Sequence, residues 1–355
     1  MRATRDKERR GRSTGHVAAT AGALAIGLLV ASVAGCGGHS SSRRAGKDGG
    51  PAGKTSAGAG KGARRSAPAR PQRLLARSVG RLSAPEQDAA AAAAGGRVLL
   101  LGGLTAADTS RADIVILRGA HQTGRAHLPQ ALHDAAATTI GGVVYFFGGG
   151  NVGSSDAILR VDPRTGRTRV AGHLPQALSD VAVATVGNVA YIVGGYTGQR
   201  PVDSILAWKP GSGRARRVAR LPSPLRYAAV ASSGGKLVIA GGSAPSGARR
   251  DVVAFDAGTG AVRRVGRLPR PTTHAGAATL AGTVFVIGGR GDVAGTPSAQ
   301  IVAIDPANGT IRSAGRLPQP LSDTSVAGAA DRILVAGGRG RTATVATVVE
   351  LRLAR

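Results

Sequence analysis

The stretch VVYFFGG, residues 143–149, is a short run of branched and aromatic residues that ends in two glycines. Five further stretches have the same form: RVLLLGG at 97–103, VAYIVGG at 189–195, KLVIAGG at 236–242, TVFVIGG at 283–289 and RILVAGG at 332–338. The glycine pairs recur every 46 to 49 residues. Short apolar runs punctuated by glycine predict strands, and the lack of alternation predicts burial on both faces. The regular spacing indicates six repeats of one structural unit.

Each repeat is predicted to supply four strands. A segment of small residues precedes the apolar run, as expected for an innermost strand close to a central axis. Hairpin turns such as DPRTG at 162–166 and DPANG at 305–309 follow the third strand. Fourth strands such as RARRVARLP at 214–222 carry charges that protect an exposed sheet edge. A β-propeller buries both faces of each inner strand between neighbouring blades. The sequence therefore predicts an all-β, six-bladed propeller of four-stranded blades.

The two ends of the repeat array predict how the ring closes. RSVGRL at 77–82 matches the fourth strand RVGRL at 264–268, whereas VVELRL at 348–353 matches a third strand that nothing follows. An N-terminal strand that pairs with the C-terminal one would complete the last blade. We therefore expect the N-terminal strand to close the propeller.

The Gly-Gly ending of the second strand and the length of the unit resemble the kelch repeat. The resemblance covers residues 72–355 and implies a kelch-like β-propeller. Kelch units usually place a Tyr shortly after the glycines and a Trp in the fourth strand. Here only Tyr196 directly follows its glycine pair, and the sole tryptophan, Trp208, lies in a predicted third strand. The chain thus resembles a divergent, aromatic-poor bacterial member of the kelch-repeat family.

Residues 1–35 have the layout of a lipoprotein-type signal peptide. Basic residues within 1–16 precede the uncharged run Val17–Ala34. The tetrapeptide at 33–36, Val-Ala-Gly-Cys, resembles the lipobox of bacterial lipoproteins, in which the cysteine is acylated before cleavage. We expect lipidation of Cys36 and a position at the extracytoplasmic face of the cell membrane. The alternative is that Val17–Ala34 stays attached as a single transmembrane anchor.

Residues 36–71 are predicted to be the lipidated cysteine followed by a disordered, basic tether rich in Gly, Ala and Ser. Residues 37–71 contain no aromatic or large aliphatic side chain to bury. Their positive charge suits either contact with anionic lipid headgroups or a self-repelling spacer. Because the chain has a single cysteine, an intrachain disulfide and a multi-cysteine metal site are excluded.

One position in each unit, six residues after the leucine that begins it, is expected to line the mouth of the central channel. Its occupants are Asp88, Asp134, Asp180, Tyr227, His274 and Asp323. One interpretation is a polar binding mouth for a sugar, a cation or a basic peptide. The other is structural, with the aspartates accepting hydrogen bonds from adjacent backbone. The variable loops after each Gly-Gly pair share this face, which favours it for ligand binding.

We expect a non-enzymatic binding or scaffold module for a cell-surface glycan or protein. The propeller lacks the cysteine that a galactose-oxidase-like copper centre needs. The alternative is an enzyme resembling the sialic-acid epimerases, in which Asp180, His274 or Asp323 would transfer protons to a sugar. No nucleophile–base pair, metal cluster or phosphate loop is evident, so we predict no catalytic residue, metal or cofactor. Nucleic acid is not expected as a partner, despite a net charge of +28, because the protein is expected to be exported.

Overall fold

The computed structural model describes residues 72–354. The predicted signal peptide, Cys36 and the tether lie outside the described residues. Within residues 72–354 all regular structure is β, in 27 strands. No helix in this part of the chain is long and apolar enough to cross a membrane.

The first strand is β1 (Leu74–Arg81), and six antiparallel sheets then follow one another along the chain. Blade 1 is formed by β2 (Ala90–Ala94), β3 (Arg97–Leu101), β4 (Asp113–Arg118) and β5 (His121–His127). Blade 2 is formed by β6 (Ala136–Ile140), β7 (Val143–Phe147), β8 (Ala157–Val161) and β9 (Thr168–His173). Blade 3 is formed by β10 (Ala182–Val186), β11 (Val189–Val193), β12 (Val202–Trp208) and β14 (Arg216–Leu225), and the short β13 (Gly213–Arg214) between β12 and β14 joins the sheet of blade 2.

Blade 4 contains a small extra hairpin between its second and third long strands. Its strands are β15 (Ala229–Ser233), β16 (Lys236–Ala240), β17 (Ser243–Ala244), β18 (Gly247–Ala248), β19 (Asp251–Asp256) and β20 (Val262–Arg267). Blade 5 is formed by β21 (Gly276–Leu280), β22 (Thr283–Ile287), β23 (Ser298–Ile304) and β24 (Ile311–Leu321). Blade 6 is formed by β25 (Ser325–Gly328), β26 (Ile333–Ala336), β27 (Thr347–Leu353) and β1.

Blade 6 joins the two ends of the propeller. Strand β1 pairs antiparallel with β27, from Leu74 opposite Leu353 to Arg81 opposite Thr347. The sheet order is β1, β27, β26, β25, so the N-terminal strand is the outermost strand of the last blade. The predicted closure is confirmed, as is the six-bladed all-β propeller.

The hydrophobic core is divided into six clusters, each lying between two successive blades. Strand β7 shows how one strand serves two of them. Val144 and Phe146 pack toward blade 1, whereas Tyr145 and Phe147 pack toward blade 3. Both sets are buried, which explains why the second strands are apolar at every position. Burial on both faces, inferred from the lack of alternation, is therefore confirmed.

Each Gly-Gly pair forms a corner that fastens its blade to the next one. The amide of Gly149 donates to the carbonyl oxygen of Leu178, at the entry to blade 3, over 2.9 Å. The same bond, 2.7–2.9 Å long, occurs at all six junctions: Gly103 to Leu132, Gly149 to Leu178, Gly195 to Leu225, Gly242 to Thr272, Gly289 to Leu321 and Gly338 to Glu86. A side chain on Gly148, which has φ of 62°, would overlap that Leu178 carbonyl. The sequence signature of the repeat is therefore a requirement of blade-to-blade contact.

The junction between blades 6 and 1 differs from the others in its side chain. Leucine or threonine accepts the corner bond elsewhere, but here the acceptor is Glu86, which is only 2% exposed. Its carboxylate lies 3.0 Å from Arg111, which also contacts Asp113 at 2.7 Å. Burial raises the pKa of Glu86 to about 7 although the charge of Arg111 opposes the shift. The junction between blades 6 and 1 thus contains the buried contact of Glu86 with Arg111 as well as the corner hydrogen bond.

Blade 2 has a fifth strand, which is a departure from the predicted four. Strand β13 lies parallel to β9, with Gly213 opposite Gly172 and Arg214 opposite His173. The long turn after Trp208 reaches over the neighbouring blade, and a side chain at Gly172 would overlap the Gly213 carbonyl. The outer edge of blade 2 is therefore covered by backbone from blade 3 as well as guarded by charge.

Candidate functional site

The six residues predicted to line the channel mouth do surround a single opening. Each stands immediately before the residue that leads into the first strand of a blade. The opening encloses about 120 Å³ and is lined by Asp88, Asp134, Asp180, Tyr227, His274, Asp323 and the residue that follows each of them. Six segments that are 46 to 49 residues apart in sequence thus converge on one cavity.

All six ring residues have a left-handed backbone, with φ between 53° and 58°. In five cases the amide of one ring residue donates to the carbonyl of the preceding one, at 2.7–3.3 Å. The five pairs are Asp180 to Asp134, Tyr227 to Asp180, His274 to Tyr227, Asp323 to His274 and Asp88 to Asp323. Asp adopts positive φ more readily than most residues, whereas a bulky residue such as Tyr is strained there by roughly 1 kcal/mol. The positive φ at these positions favours Asp over most residues, and Gly or Asn would meet the same requirement.

A second backbone contact fixes each ring residue within its own blade. The residue before it pairs with the residue after the Gly-Gly corner, as His133 does with Gly150 through bonds of 2.9 and 2.8 Å. Equivalent bridges join Gln87 to Leu104, Ser179 to Tyr196, Arg226 to Ser243, Thr273 to Arg290 and Ser322 to Arg339. The Gly-Gly corner therefore positions the ring residue directly.

Tyr227 reaches across the mouth from blade 4. Its hydroxyl donates to Oδ2 of Asp134, on blade 2, over 3.2 Å. One face of its ring stacks on His274 with centroids 3.7 Å apart, and the guanidinium of Arg226 lies 5.0 Å from its centroid. Arg226 also covers the ring of Tyr196 at 4.7 Å. The tyrosine is thus fixed by stacking, a cation–π contact and a hydrogen bond.

Two of the four ring carboxylates contact arginines. Arg226 donates to Asp180 over 3.0 Å, and Arg290 lies 3.8 Å from Asp323. Asp323 also accepts a short hydrogen bond from the hydroxyl of Ser322. Among the described residues, Asp88 forms no ion pair. Side chains of Tyr227, Arg226 and Ser322 contact the carboxylates of Asp134, Asp180 and Asp323.

His274 is held in one tautomer by its neighbours. Nη2 of Arg290 lies 3.1 Å from Nε2 of the imidazole, and an arginine can only donate. Nε2 is therefore the acceptor, so the proton lies on Nδ1, which is 3.0 Å from the hydroxyl of Thr273. Burial, together with the charges of Arg290 and Arg226, lowers the pKa of His274 to about 3. The imidazole is neutral at physiological pH.

The ring carboxyls hold protons more tightly than isolated aspartates. Burial raises the pKa of Asp134 to about 8, with a contribution from the negative charge of Asp180. Burial also raises the pKa of Asp88 well above its usual range, and the charges of Asp134 and Asp323 add to the effect. The pKa values of Asp180 and Asp323 are raised by burial too, while hydrogen bonds and arginines oppose the shift. At neutral pH the mouth therefore offers both hydrogen-bond donors and acceptors.

Within residues 72–354 no group of three or more His, Cys, Asp or Glu side chains is arranged to hold a metal ion. The carboxyls, the tyrosine hydroxyl and the two arginines can instead exchange hydrogen bonds with hydroxyl or amino groups.

Two features of the channel mouth were not identified from the sequence: the role of Arg226 and the contact of Tyr227 with Asp134. Arg226 directly precedes a ring residue, where the other units have Gln87, His133, Ser179, Thr273 and Ser322. Aligning the repeats at this position would have revealed the only permanently charged occupant. The contact of Tyr227 with Asp134 joins residues 93 apart and has no sequence signal.

Comparison with known proteins supports the fold at the level of one blade. The family model of the Kelch motif matches residues 177–219, which span the entry to blade 3 and most of its strands. No curated protein matches the chain in sequence.

The raised pKa of Asp134 predicts how stability depends on pH. The folded protein keeps a proton on this carboxyl up to about pH 8, whereas the unfolded chain loses it near the ordinary aspartate pKa of 3.8. The free energy of unfolding should therefore fall as pH rises from about 4 to 8, by up to about 1.4 kcal/mol per pH unit for one proton. Asp134→Asn, which keeps an oxygen for Tyr227, should make this fall shallower in urea titrations at several pH values.

Asp162→Asn provides the control. Asp162 lies in an exposed turn, and hydrogen bonds from the amides of Thr165 and Arg164 lower its pKa. Its loss should leave the decline above pH 4 unchanged. Parallel curves for the wild type and Asp134→Asn would contradict the assignment.

Proposed function

This chain is a kelch-repeat β-propeller, and we propose that it is a binding module that holds its ligand at the channel mouth. The partner would be a glycan or a protein of the cell surface. The loops that follow the Gly-Gly corners begin beside the ring residues and would contact the remainder of the ligand.

One observation carries the proposal: four carboxyl groups converge on the mouth from four different blades. The ring position requires only a residue that accepts positive φ, a demand that Gly or Asn meets without burying an ionisable group. Asp180 and Asp323 are only 5% and 8% exposed, and burial raises the pKa of both. Ionisable groups kept in an environment that disfavours their charge are characteristic of functional sites.

The size of the cavity favours a large ligand with a small protruding group. A volume of about 120 Å³ is well below the 300–1,000 Å³ typical of sites that enclose a whole small molecule. A terminal sugar substituent or a single side chain of a protein could enter it. Carboxyl and phenol groups are suitable partners for sugar hydroxyls and for amino groups.

A second candidate is a sugar-acting enzyme of the sialic-acid epimerase type. The observation that favours it is the pKa of Asp134, raised to about 8 by burial, since a general acid–base group works best near the ambient pH. His274 is less suited to this role because Arg290 occupies Nε2 and the pKa is lowered to about 3. Proton transfer would therefore fall to the carboxyls.

Binding to glycan arrays and surface proteins, measured with Asp134→Asn and Asp88→Asn variants, tests the module. We expect each variant to weaken capture at least about tenfold, equivalent to about 1.4 kcal/mol, because a hydrogen-bonding group in a desolvated mouth is altered. Asp162→Asn, on the turn face, should bind as the wild type does.

Unchanged capture by both mouth variants would contradict this placement of the site. Assays of sugar epimerisation on the same proteins separate the two candidates. Turnover by the wild type that Asp134→Asn abolishes would favour the enzyme, whereas no turnover together with lost capture would favour the module.

We also propose that lipidated Cys36 anchors the protein at the extracytoplasmic face of the membrane. Its support is the position of the sole cysteine after an apolar run that follows a basic segment. Intact-mass analysis of the membrane-extracted protein should give a chain that begins at an acylated Cys36, and Cys36→Ser should prevent this processing. A mass that includes residues 1–35 in the wild type would instead support a retained transmembrane segment.

A further inference from the structure

A groove on the opposite face of the propeller lies between the first hairpins of blades 6 and 1. In blade 1, Gly95 and Gly96 form the turn between β2 and β3. In blade 6 the equivalent turn is Ala330–Asp331, because a backbone hydrogen bond of 2.8 Å still joins Ala329 to Arg332. A cavity of about 560 Å³ opens between these two turns. Its size is within the range of small-molecule sites.

Two arginines of blade 1 line the groove side by side. Val98 and Leu117 face each other in the β3–β4 ladder, so Arg97 and Arg118, one position further on, are cross-strand neighbours. Like charges in this relation destabilise a sheet. Within residues 72–354, no carboxylate lies within 4 Å of either guanidinium, and Arg97 donates only to the carbonyl of Gly95, at 3.2 Å. Asp331 lines the same groove, but its carboxylate contacts Arg332 and Arg352 and not the blade 1 pair.

Blade 6 contains the same pair of arginines with its anions in place. Arg332 and Arg352 flank the facing residues of β26 and β27 in the same way. Asp331 contacts both, at 3.0 and 2.6 Å, and Glu350 contacts both, at 2.7 and 2.5 Å. These bridging carboxylates offset the repulsion between Arg332 and Arg352. Arg97 and Arg118 have no such carboxylates in contact.

Blade 4 meets the same requirement with opposite charges. Lys236 occupies the position equivalent to Arg97 and faces Asp256 across the ladder. An oxyanion between Arg97 and Arg118 would thus supply what other blades obtain from their own carboxylates.

We propose that this groove binds a small organic oxyanion, a carboxylate or a phosphate ester, that bridges Arg97 and Arg118. Guanidinium groups bind planar and tetrahedral oxyanions through paired hydrogen bonds. The apolar part of the ligand would lie against Ala93, Val98 and Leu334, which line the same groove. The site is separate from the channel mouth, so failure of this proposal would not bear on the function proposed above.

The test titrates the full chain, purified in mild detergent, with phenyl phosphate and, separately, with benzoate by isothermal calorimetry. Binding of at least one probe is expected, and comparison of the two shows whether phosphate or carboxylate is preferred. Arg97→Gln combined with Arg118→Gln should weaken binding at least tenfold. Arg77→Gln, on the exposed outer strand, and Asp134→Asn, at the mouth, should bind as the wild type does.

Stability gives a second readout that does not depend on ligand affinity. Without added anion, the double variant should unfold at the same or a higher urea concentration, because a repulsion is removed. Phenyl phosphate should raise the midpoint of the wild type and not that of the double variant. Failure of both probes to bind the wild type at about 10 mM, or equal binding by the double variant, would overturn the proposal.

Discussion

The hydrogen bond from the second glycine of each Gly-Gly pair to a carbonyl of the next blade is the contact on which the propeller depends. It occurs at all six junctions, including the one where Gly338 meets Glu86 and the ring closes. A neutral hydrogen bond contributes about 1 kcal/mol, but a buried amide left without a partner costs more. Because the blades meet at this point, the first glycine has no room for a side chain. The hydrophobic clusters stabilise the contact between blades, and the corner hydrogen bonds fix the distance between neighbouring blades.

The same corners determine the chemistry of the mouth. The residue after each glycine pair bridges to the residue before each ring position, which places six left-handed residues in a circle. Their side chains are brought close together regardless of their charge. In addition to the effect of burial, the charges of Asp134 and Asp323 consequently raise the pKa of Asp88, and those of Asp180 and Asp323 raise the pKa of Asp134. Backbone geometry has thus brought four carboxyls together at the mouth, where Tyr227 and Arg226 contact them.

The repeat made most of this architecture predictable from sequence. The apolar runs, their spacing and the match between RSVGRL and a fourth strand led to the blade number and to the closure by β1. Ring positions were also predictable, because equivalent residues of a repeat occupy equivalent places around the axis.

Features that break the repeat were not predictable. Strand β13 depends on how one long turn folds over a neighbouring blade, and the contact between Tyr227 and Asp134 depends on a side chain crossing the axis. The groove beside Arg97 lies between hairpins of blades 6 and 1, which are far apart in sequence. Such features depend on contacts between distant units, which the periodicity of a single unit does not encode.

The most direct test of the account compares Gly148→Ala with Gly153→Ala by urea denaturation. Gly148 has φ of 62° and lies against the Leu178 carbonyl, whereas an added methyl group at the exposed Gly153 would meet nothing within 4 Å. We expect the free energy of unfolding to fall by about 2–4 kcal/mol for Gly148→Ala and by less than about 0.5 kcal/mol for Gly153→Ala. Equal stability of the two variants would contradict the central role of the glycine corners.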